Sequence, residues 1–437
     1  MTTTYDPFHT KYFDEADLRL EMNRVFDLCH GCRLCFKFCT SFPSLFEMID
    51  RHPDQDSARL TEAEQDRVVD ECFGCKLCYV NCPYTPGRHQ WELDFPRLML
   101  RAHAVKVHDK ELRRQDKIAR HVLARTDLMG RIATLTAPVA NWSMGTPGSR
   151  IRKVVERAVG IHADRLLLPF ARQRFSTWFK KRTPPPATKA TQAAVTVFPT
   201  CLIEYWDPAI GHDLVKVYEH NGVSCELPDG AGCCGAPWLH SGHVEEFKVA
   251  ARKNVEALAS HVRKGNDIVV PQPTCSYVLK KDYPDYIGGP DAELVASHTY
   301  DACEYLWKLH LGGETSIDTT FSGKVPATTT YHVACHLQAQ NVGIKGRDLV
   351  KLTGTKITLV NKCSGIDGTW GYRSGNYDIA RQVAKPLGEA VDKANTEIVV
   401  GDCHLANGSI AQETGRKPVH PLQLLARAYG IPEEAHP

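Results

Sequence analysis

Beyond residue 190 the chain alternates between two hydrophobic rhythms. "AVTVFPTC", ending at Cys201, and "TTYHVAC", ending at Cys335, are apolar, β-branched runs that each deliver a cysteine, as a buried strand would. "DLVK" follows both, at 213–216 and 348–351, on what reads as the next helix. Cys233-Cys234-Gly235 then matches Cys363-Ser364-Gly365. "VEEFKVAARKNVEALASHVRK" and "NYDIARQVAKPLGEAVDKA" have the period of long amphipathic helices. Finally "DIVVPQPTC" delivers Cys275 and "EIVVGDC" delivers Cys403. The same order twice predicts a duplicated α/β unit. Its cysteines fall at the carboxyl ends of strands, where open parallel sheets place their sites.

Upstream the rhythm changes. "KKRTPPPATKATQ", residues 180–192, has three prolines and no apolar period, and reads as a linker. "TEAEQDRVVDECF" predicts a helix capped by Thr61. The expected architecture is α+β and multidomain: a helical domain over 1–105, a helical connector over 106–190, and α/β units over 191–325 and 326–437. A length of 437 residues accommodates two to four domains.

Hydrophobic content of 43% and charged content of 24% are those of a globular protein. The N-terminus lacks a basic start followed by an apolar core, so no secretory signal is expected. No run of about 18 apolar residues predicts a membrane span. Both point to the cytoplasm, where thiols stay reduced, and seventeen cysteines there suggest metal rather than disulfides. The formal net charge of +2 hides an asymmetry: residues 97–182 hold twenty basic and six acidic side chains. Leu112, Ile118, Val122 and Leu123 recur there at near-helical spacing, and Trp142, Phe170, Phe175, Trp178 and Phe179 offer aromatic anchors. The block suits an anionic membrane surface, or a helical brace docked on the acidic remainder or on a partner. No nucleic-acid motif accompanies it, and no nucleic acid is expected as a partner.

The first eight cysteines carry the strongest chemical signal. Cys29, Cys32, Cys35 and Cys39 form C-x2-C-x2-C-x3-C, and Cys72, Cys75, Cys78 and Cys82 repeat it. This is the spacing of paired bacterial-type [4Fe–4S] ferredoxin sites, in which the fourth cysteine of each run serves the other cluster. One cluster is therefore assigned to Cys29, Cys32, Cys35 and Cys82, the other to Cys72, Cys75, Cys78 and Cys39. Gly31 and Gly74 fit a close approach of backbone to sulfide. Zinc, the competing reading, leaves the third cysteine of each run unexplained. A helical ferredoxin domain is expected, given the helix between the runs.

Two such repeats behind a double ferredoxin run resemble the iron–sulfur subunits related to heterodisulfide reductase, over nearly the whole chain. "RTDLMG" and "TAPVANW" in the middle block belong to the same resemblance. In that family each CCG repeat has the form C…CC-G…C-x-x-C and can hold a noncubane [4Fe–4S] cluster. The resemblance implies a cluster at Cys201, Cys233, Cys234 and Cys275, with Gln272 where a further cysteine would stand. The second repeat keeps Cys335, Cys363 and Cys403, with Ser364 and Ala406 at the other two positions. It would hold a simpler cluster, with water, Ser364, His336 or His404 as fourth ligand, or nothing at all. His336 and His404, each next to a candidate ligand, are read first as groups that shape the loop or hydrogen-bond sulfur. Cys225 and Cys303 match no family position and are expected in the core.

The expected function is electron transfer. A flavoprotein dehydrogenase or other redox partner would reduce the two [4Fe–4S] clusters. Electrons would pass to the cluster of the first repeat and on to a membrane acceptor such as quinone, with the protein peripheral on the cytoplasmic face of the inner membrane. No dinucleotide fingerprint accompanies the cysteines: "GAGCCG" lacks the strand–GxGxxG–helix setting. Two alternatives are reduction of a disulfide at the first repeat's cluster, and a non-redox iron–sulfur scaffold or sensor.

Overall fold

The computed structural model describes residues 5–109, 114–183, 193–312 and 316–433. Leu112 and most of the 180–192 linker lie outside them.

The first described segment contains no strand. It comprises α1 (Glu15–Cys32), α2 (Ser41–Asp50), α3 (Glu62–Asp70), α4 (Leu77–Asn81) and α5 (Phe95–His108). The predicted helix behind Thr61 is α3, opened by a reciprocal capping box between Thr61 and Glu64. Met22, Phe26, Phe42, Phe46 and Leu98 form its core, and the cysteine loops pack on that core. The connector is also helical: α6 (Arg114–Ala124), α7 (Thr126–Leu135), α8 (Ala137–Met144), α9 (Arg150–Val159) and α10 (Phe175–Lys181).

Much of the basic block's charge is internal. Arg152 is buried and donates to the carbonyls of Met144, His162 and Arg165, and Arg101 on α5 donates to those of Lys11 and Tyr12. Arg182 pairs with Glu219 at 2.7 Å. The aromatic anchors divide too. Phe175 is fully buried, Trp178 stacks on His212, and Phe170 packs on Trp206; Trp142 alone of the five is exposed. Basic and aromatic residues read from sequence as one surface therefore serve two purposes, internal bracing and an outer face.

The two α/β units follow in the expected order. The first runs β1 (Ala193–Val197), α11 (Cys201–Tyr205), α12 (Pro208–His220), β2 (Val223–Glu226), α13 (Ala236–His240), α14 (Val244–Val262), β3 (Asp267–Val270), α15 (Pro273–Tyr277), α16 (Tyr283–Ile287), α17 (Pro290–Ser297), β4 (Thr299–Asp301) and α18 (Ala302–Leu311). The second runs β5 (Thr328–His332), α19 (Cys335–Gln340), α20 (Lys345–Leu352), β6 (Lys356–Val360), α21 (Tyr377–Ala394), β7 (Ile398–Gly401), α22 (His404–Thr414) and α23 (Pro421–Ala428).

Their sheets are parallel, in the orders β2-β1-β3-β4 and β6-β5-β7. A parallel bridge between Val400 and Val419 marks the edge that β4 occupies in the first unit. In each sheet the direction of strand addition reverses beside the first strand. Loops leaving neighbouring strand ends there diverge and open a crevice. Cys201 and Cys275 follow β1 and β3, and Cys335 and Cys403 follow β5 and β7, so both sets fall at this reversal.

The layers are tied by specific contacts. Lys76, in the second ferredoxin-like run, is buried and pairs with Asp282 of the first α/β unit at 3.1 Å, with its ammonium over the Tyr277 ring. Removing one partner of such a pair costs about 3–5 kcal/mol, because the other charge is left dry. Trp370 donates from its indole to the carbonyl of Asp70, binding the second unit to the N-terminal helices.

The ends of β4 and β7 bring two acids together. Burial first, and the carboxylate of Asp402 second, push Asp301 up to about 8; burial pushes Asp402 up to about 6. A carboxyl that holds its proton more tightly when folded stabilises fully below its unfolded value near 3.9. That contribution is lost as pH rises toward 8. Urea unfolding under anaerobic conditions should therefore show stability falling between pH 5 and pH 8 by on the order of 4 kcal/mol, at roughly 1.4 kcal/mol per unit. Asp301→Asn, which can still cap α18, should remove most of that slope.

Candidate metal centres

The structure gathers the cysteines around four hollows. Cys29, Cys32, Cys35 and Cys82 line one. Cys39, Cys72, Cys75 and Cys78 line the next. The fourth cysteine of each run thus stands with the other run's three. Cys29 and Cys32 lie on the last turn of α1, whereas Cys72 and Cys75 lie in a loop. Gly31 is accordingly an ordinary helical position with open space beside it, while Gly74 has φ +57° and faces the carboxylate of Asp367. Left-handed residues of like position in both runs are Arg33 (φ 53°) and Lys76 (φ 62°), a shared turn that side-chain type did not signal.

In the first α/β unit Cys201, Cys233, Cys234 and Cys275 converge beyond the strand ends and line one cavity. Thiol hydrogen bonds from Cys201 first, and then from Cys234, hold the Cys233 thiol well below its ordinary value; Cys201 and Cys234 rise in exchange. The connector reaches this loop through its "RTDLMG" stretch. Asp127 accepts the backbone N–H of Cys233 at 2.8 Å and the Tyr205 hydroxyl at 3.3 Å, and Gly130 leaves room for the Tyr205 ring. Asp127 stands beside a site that sequence analysis built from cysteines alone.

In the second unit Cys335, Cys363 and Cys403 line a smaller hollow together with Ser364, Ala406 and His336. His336 contacts the Thr274 hydroxyl through Nδ1 at 3.1 Å, and its Nε2 has no partner among the described residues. His404 is not among the lining residues. Burial lowers its imidazole's pKa, and the charges acting on it are those of Asp207 and Lys417. Cys75 lines the same hollow as Cys335 and Cys363, so the N-terminal layer and the second unit share a wall. Gln272 joins the two units: its amide donates to the Cys403 sulfur at 3.3 Å and accepts the His404 N–H at 3.2 Å. Cys225 and Cys303 lie elsewhere, buried in the apolar core.

The donor set fits iron–sulfur clusters. Among the described residues no three His, Cys, Asp or Glu side chains converge tightly enough to hold a single metal ion; the sulfurs instead ring hollows. Burial pushes most of these thiols up, Cys35 to about 12 and Cys363 to about 11. They become thiolates only against a compensating cation, which a soft, iron-rich cluster supplies.

The paired glycines explain part of the repeated signature. Gly235 (φ +87°) lies where a Cβ would meet the Phe247 ring of α14 at 2.8 Å. Gly365 (φ +64°) lies where one would meet the Ala380 carbonyl of α21 at 2.4 Å. Each lets the cysteine loop lie against the following long helix. His240 lies on the first unit's side of the same seam. Its Nδ1 is 3.2 Å from Asp367, an approach without hydrogen-bond alignment, and its buried Nε2 has no partner among the described residues. A buried polar atom left so costs about 1–3 kcal/mol.

Residues 195–280 and 329–407 each match the CCG family, described as a cysteine-rich domain. Two stretches of the chain thus match this cysteine-rich family, behind a helical cysteine-bearing layer and connector. The chain is similar to one of the subunits of the anaerobic glycerol-3-phosphate dehydrogenase of Escherichia coli K12, 28% identical over 310 residues, covering 70% of this chain and 76% of that one. One of the subunits of the CoM/CoB fumarate reductase of Methanothermobacter marburgensis is 29% identical over 53% of this chain and 46% of its own. Lactate utilization protein A of Oceanobacillus iheyensis is 27% identical over 53% of this chain and 96% of its own. Two of these three relatives are thus parts of a dehydrogenase or a reductase.

Gly235→Ala and Gly365→Ala should each destabilise the protein by roughly 2–4 kcal/mol, from positive φ plus the clash. The second should cost more, because a carbonyl yields less than a ring. Anaerobic urea titration of both variants checks the order.

Proposed function

We propose that this protein is an iron–sulfur electron-transfer subunit. It takes electrons from a partner flavodehydrogenase and delivers them to a membrane acceptor such as quinone. One observation carries the reading: the four cysteine hollows share walls in series. Phe42 lines both N-terminal hollows. Phe73 and Cys75 line the second of these and the hollow of the second repeat. Thr274, Gly368 and Leu405 line the latter and the cavity of the first repeat. Clusters at these four places would form a continuous wire. Cys29, Cys32, Cys35 and Cys82 would hold one [4Fe–4S] cluster, and Cys39, Cys72, Cys75 and Cys78 the second. Cys335, Cys363 and Cys403 would hold a third of simpler make, and Cys201, Cys233, Cys234 and Cys275 the last.

This order differs from the one expected from sequence. The second repeat's hollow shares walls with both the second N-terminal hollow and the first repeat's cavity, so a route through it is added to the direct one past His240. That gives the degenerate repeat a task as relay, with His336 and Ser364 beside the position its three cysteines leave open.

The connector supports peripheral attachment. Leu128, Ile132, Leu135, Val139 and Trp142 expose an apolar face on α7 and α8, with Leu135 86% and Trp142 69% accessible. Arg125, Arg131, Lys153 and Arg157 lie on the same helices, their flanks or the adjoining α9. Apolar side chains with a basic rim suit an anionic lipid surface. Among the described residues no helix is long and apolar enough to cross a membrane. Thiolate-held clusters suit attachment on the reducing, cytoplasmic side.

Anaerobic protein should carry about sixteen irons with all four sites filled, and about eight if both repeats are empty. Cys234→Ser should abolish or shift one EPR signal and leave the N-terminal pair in place; an unaltered spectrum removes the first repeat from the wire. In flotation with anionic vesicles, Leu135→Glu/Trp142→Glu should lower the bound fraction at least fivefold, with iron content unchanged. Undiminished flotation would exclude this face.

A further inference from the structure

We infer that the cavity of the first repeat is the acceptor's own site, shaped for a quinone ring, and that His240 supplies the ring's polar contact. This rests on the electron-transfer reading above. Four cysteine sites in one molecule provide an internal ruler. The open space is about 30 Å³ and 10 Å³ at the N-terminal hollows and about 40 Å³ at the second repeat. At the first repeat it is about 280 Å³. A cluster on four thiols does not need seven times the room of one on three.

The connector contributes a wall of its own to this cavity. Met129, Met144, Leu167, Leu168 and Phe170 form that wall. Among the described residues no Lys, Arg, Asp or Glu lines the cavity. A substrate carrying carboxylate, sulfonate or phosphate would have to shed its hydration with nothing to replace it. A planar, uncharged ring loses little. Met129 belongs to two surfaces at once: it lines the cavity and is 36% exposed beside Leu128 and Ile132 on the apolar face proposed to meet lipid. A ring dissolved in the bilayer would reach the cavity without crossing water.

A quinone also needs a polar atom at its oxygen. The His240 side chain is more than nine-tenths buried, lines the cavity, and has an Nε2 with no partner among the described residues. Reduction would consume two electrons from the reduced clusters, replaced by the partner dehydrogenase, and two protons from water. The two ring carbonyls would become hydroxyls.

The test titrates 2-heptyl-4-hydroxyquinoline N-oxide, a quinone-ring analogue, into anaerobic cluster-loaded protein and follows quenching of the analogue's fluorescence. One saturable site per chain is expected. Leu168→Trp and Met144→Trp, which fill the cavity, should weaken binding more than tenfold, and His240→Phe about fivefold or more, with iron content and EPR signals kept. No saturable binding, or unchanged affinity in all three cluster-loaded variants, overturns the inference. A second measurement separates it from the reading it rests on. Dithionite-reduced protein is mixed with menadione, and reoxidation of the clusters is followed by absorbance. Reoxidation as fast in the cavity-filled variants as in the wild type overturns the cavity and leaves electron transfer standing. Failure of menadione to reoxidise even the wild type overturns the quinone reading as well.

Discussion

Buried thiol sulfur without a counter-charge is the constraint on which this architecture depends. Sulfur from distant parts of the chain meets in apolar surroundings where burial first, and neighbouring cysteines second, raise most of the thiols' pKa values. Those sulfurs keep their protons there and become thiolates only where something cationic joins them. The helical layer, the connector and both CCG units can then be seen as walls around shared sulfur, with Cys75 common to two of the hollows. Local unfolding of one wall would expose more than one site, so opening of the sites is expected to be cooperative.

The parts of this plan legible in the sequence were those with short-range signatures. Strand runs, the capping box at Thr61, the two long helices and the cysteine spacings all act within a turn or two of chain. Their physics is local, and the structure shows the duplicated order they predicted. What stayed hidden was long-range. Nothing near Lys76 indicates that its ammonium is buried against Asp282, some two hundred residues on. Nothing near Asp127 indicates that it accepts the N–H of Cys233. The connector stayed open between two readings, membrane surface and internal brace, for a related reason. Basic residues and aromatics look alike in sequence whether they brace carbonyls, as Arg152 does, or face outward, as Trp142 does.

The loop from Asn361 to Gly371 shows how a degenerate copy can gain a different use. It has Ser364 where the first copy has Cys234, yet the same loop carries Cys363 to the second hollow, Asp367 to the Gly74 turn and to His240, and Trp370 to the carbonyl of Asp70. These contacts weld the N-terminal layer to the repeats. A residue that stops serving a metal can still be held in place by the position of its neighbours.

Duplicated domains are free to drift apart only where their copies do not touch. Gln272 stands three residues before Cys275 of the first copy, and it spends its amide on Cys403 of the second. The copies have thereby become unequal and mutually dependent. The first half could not take cysteine at 272 without stripping the second of a contact to its sulfur. What reads as repetition in the sequence is, at the sulfurs, a pair of unequal halves joined through one amide.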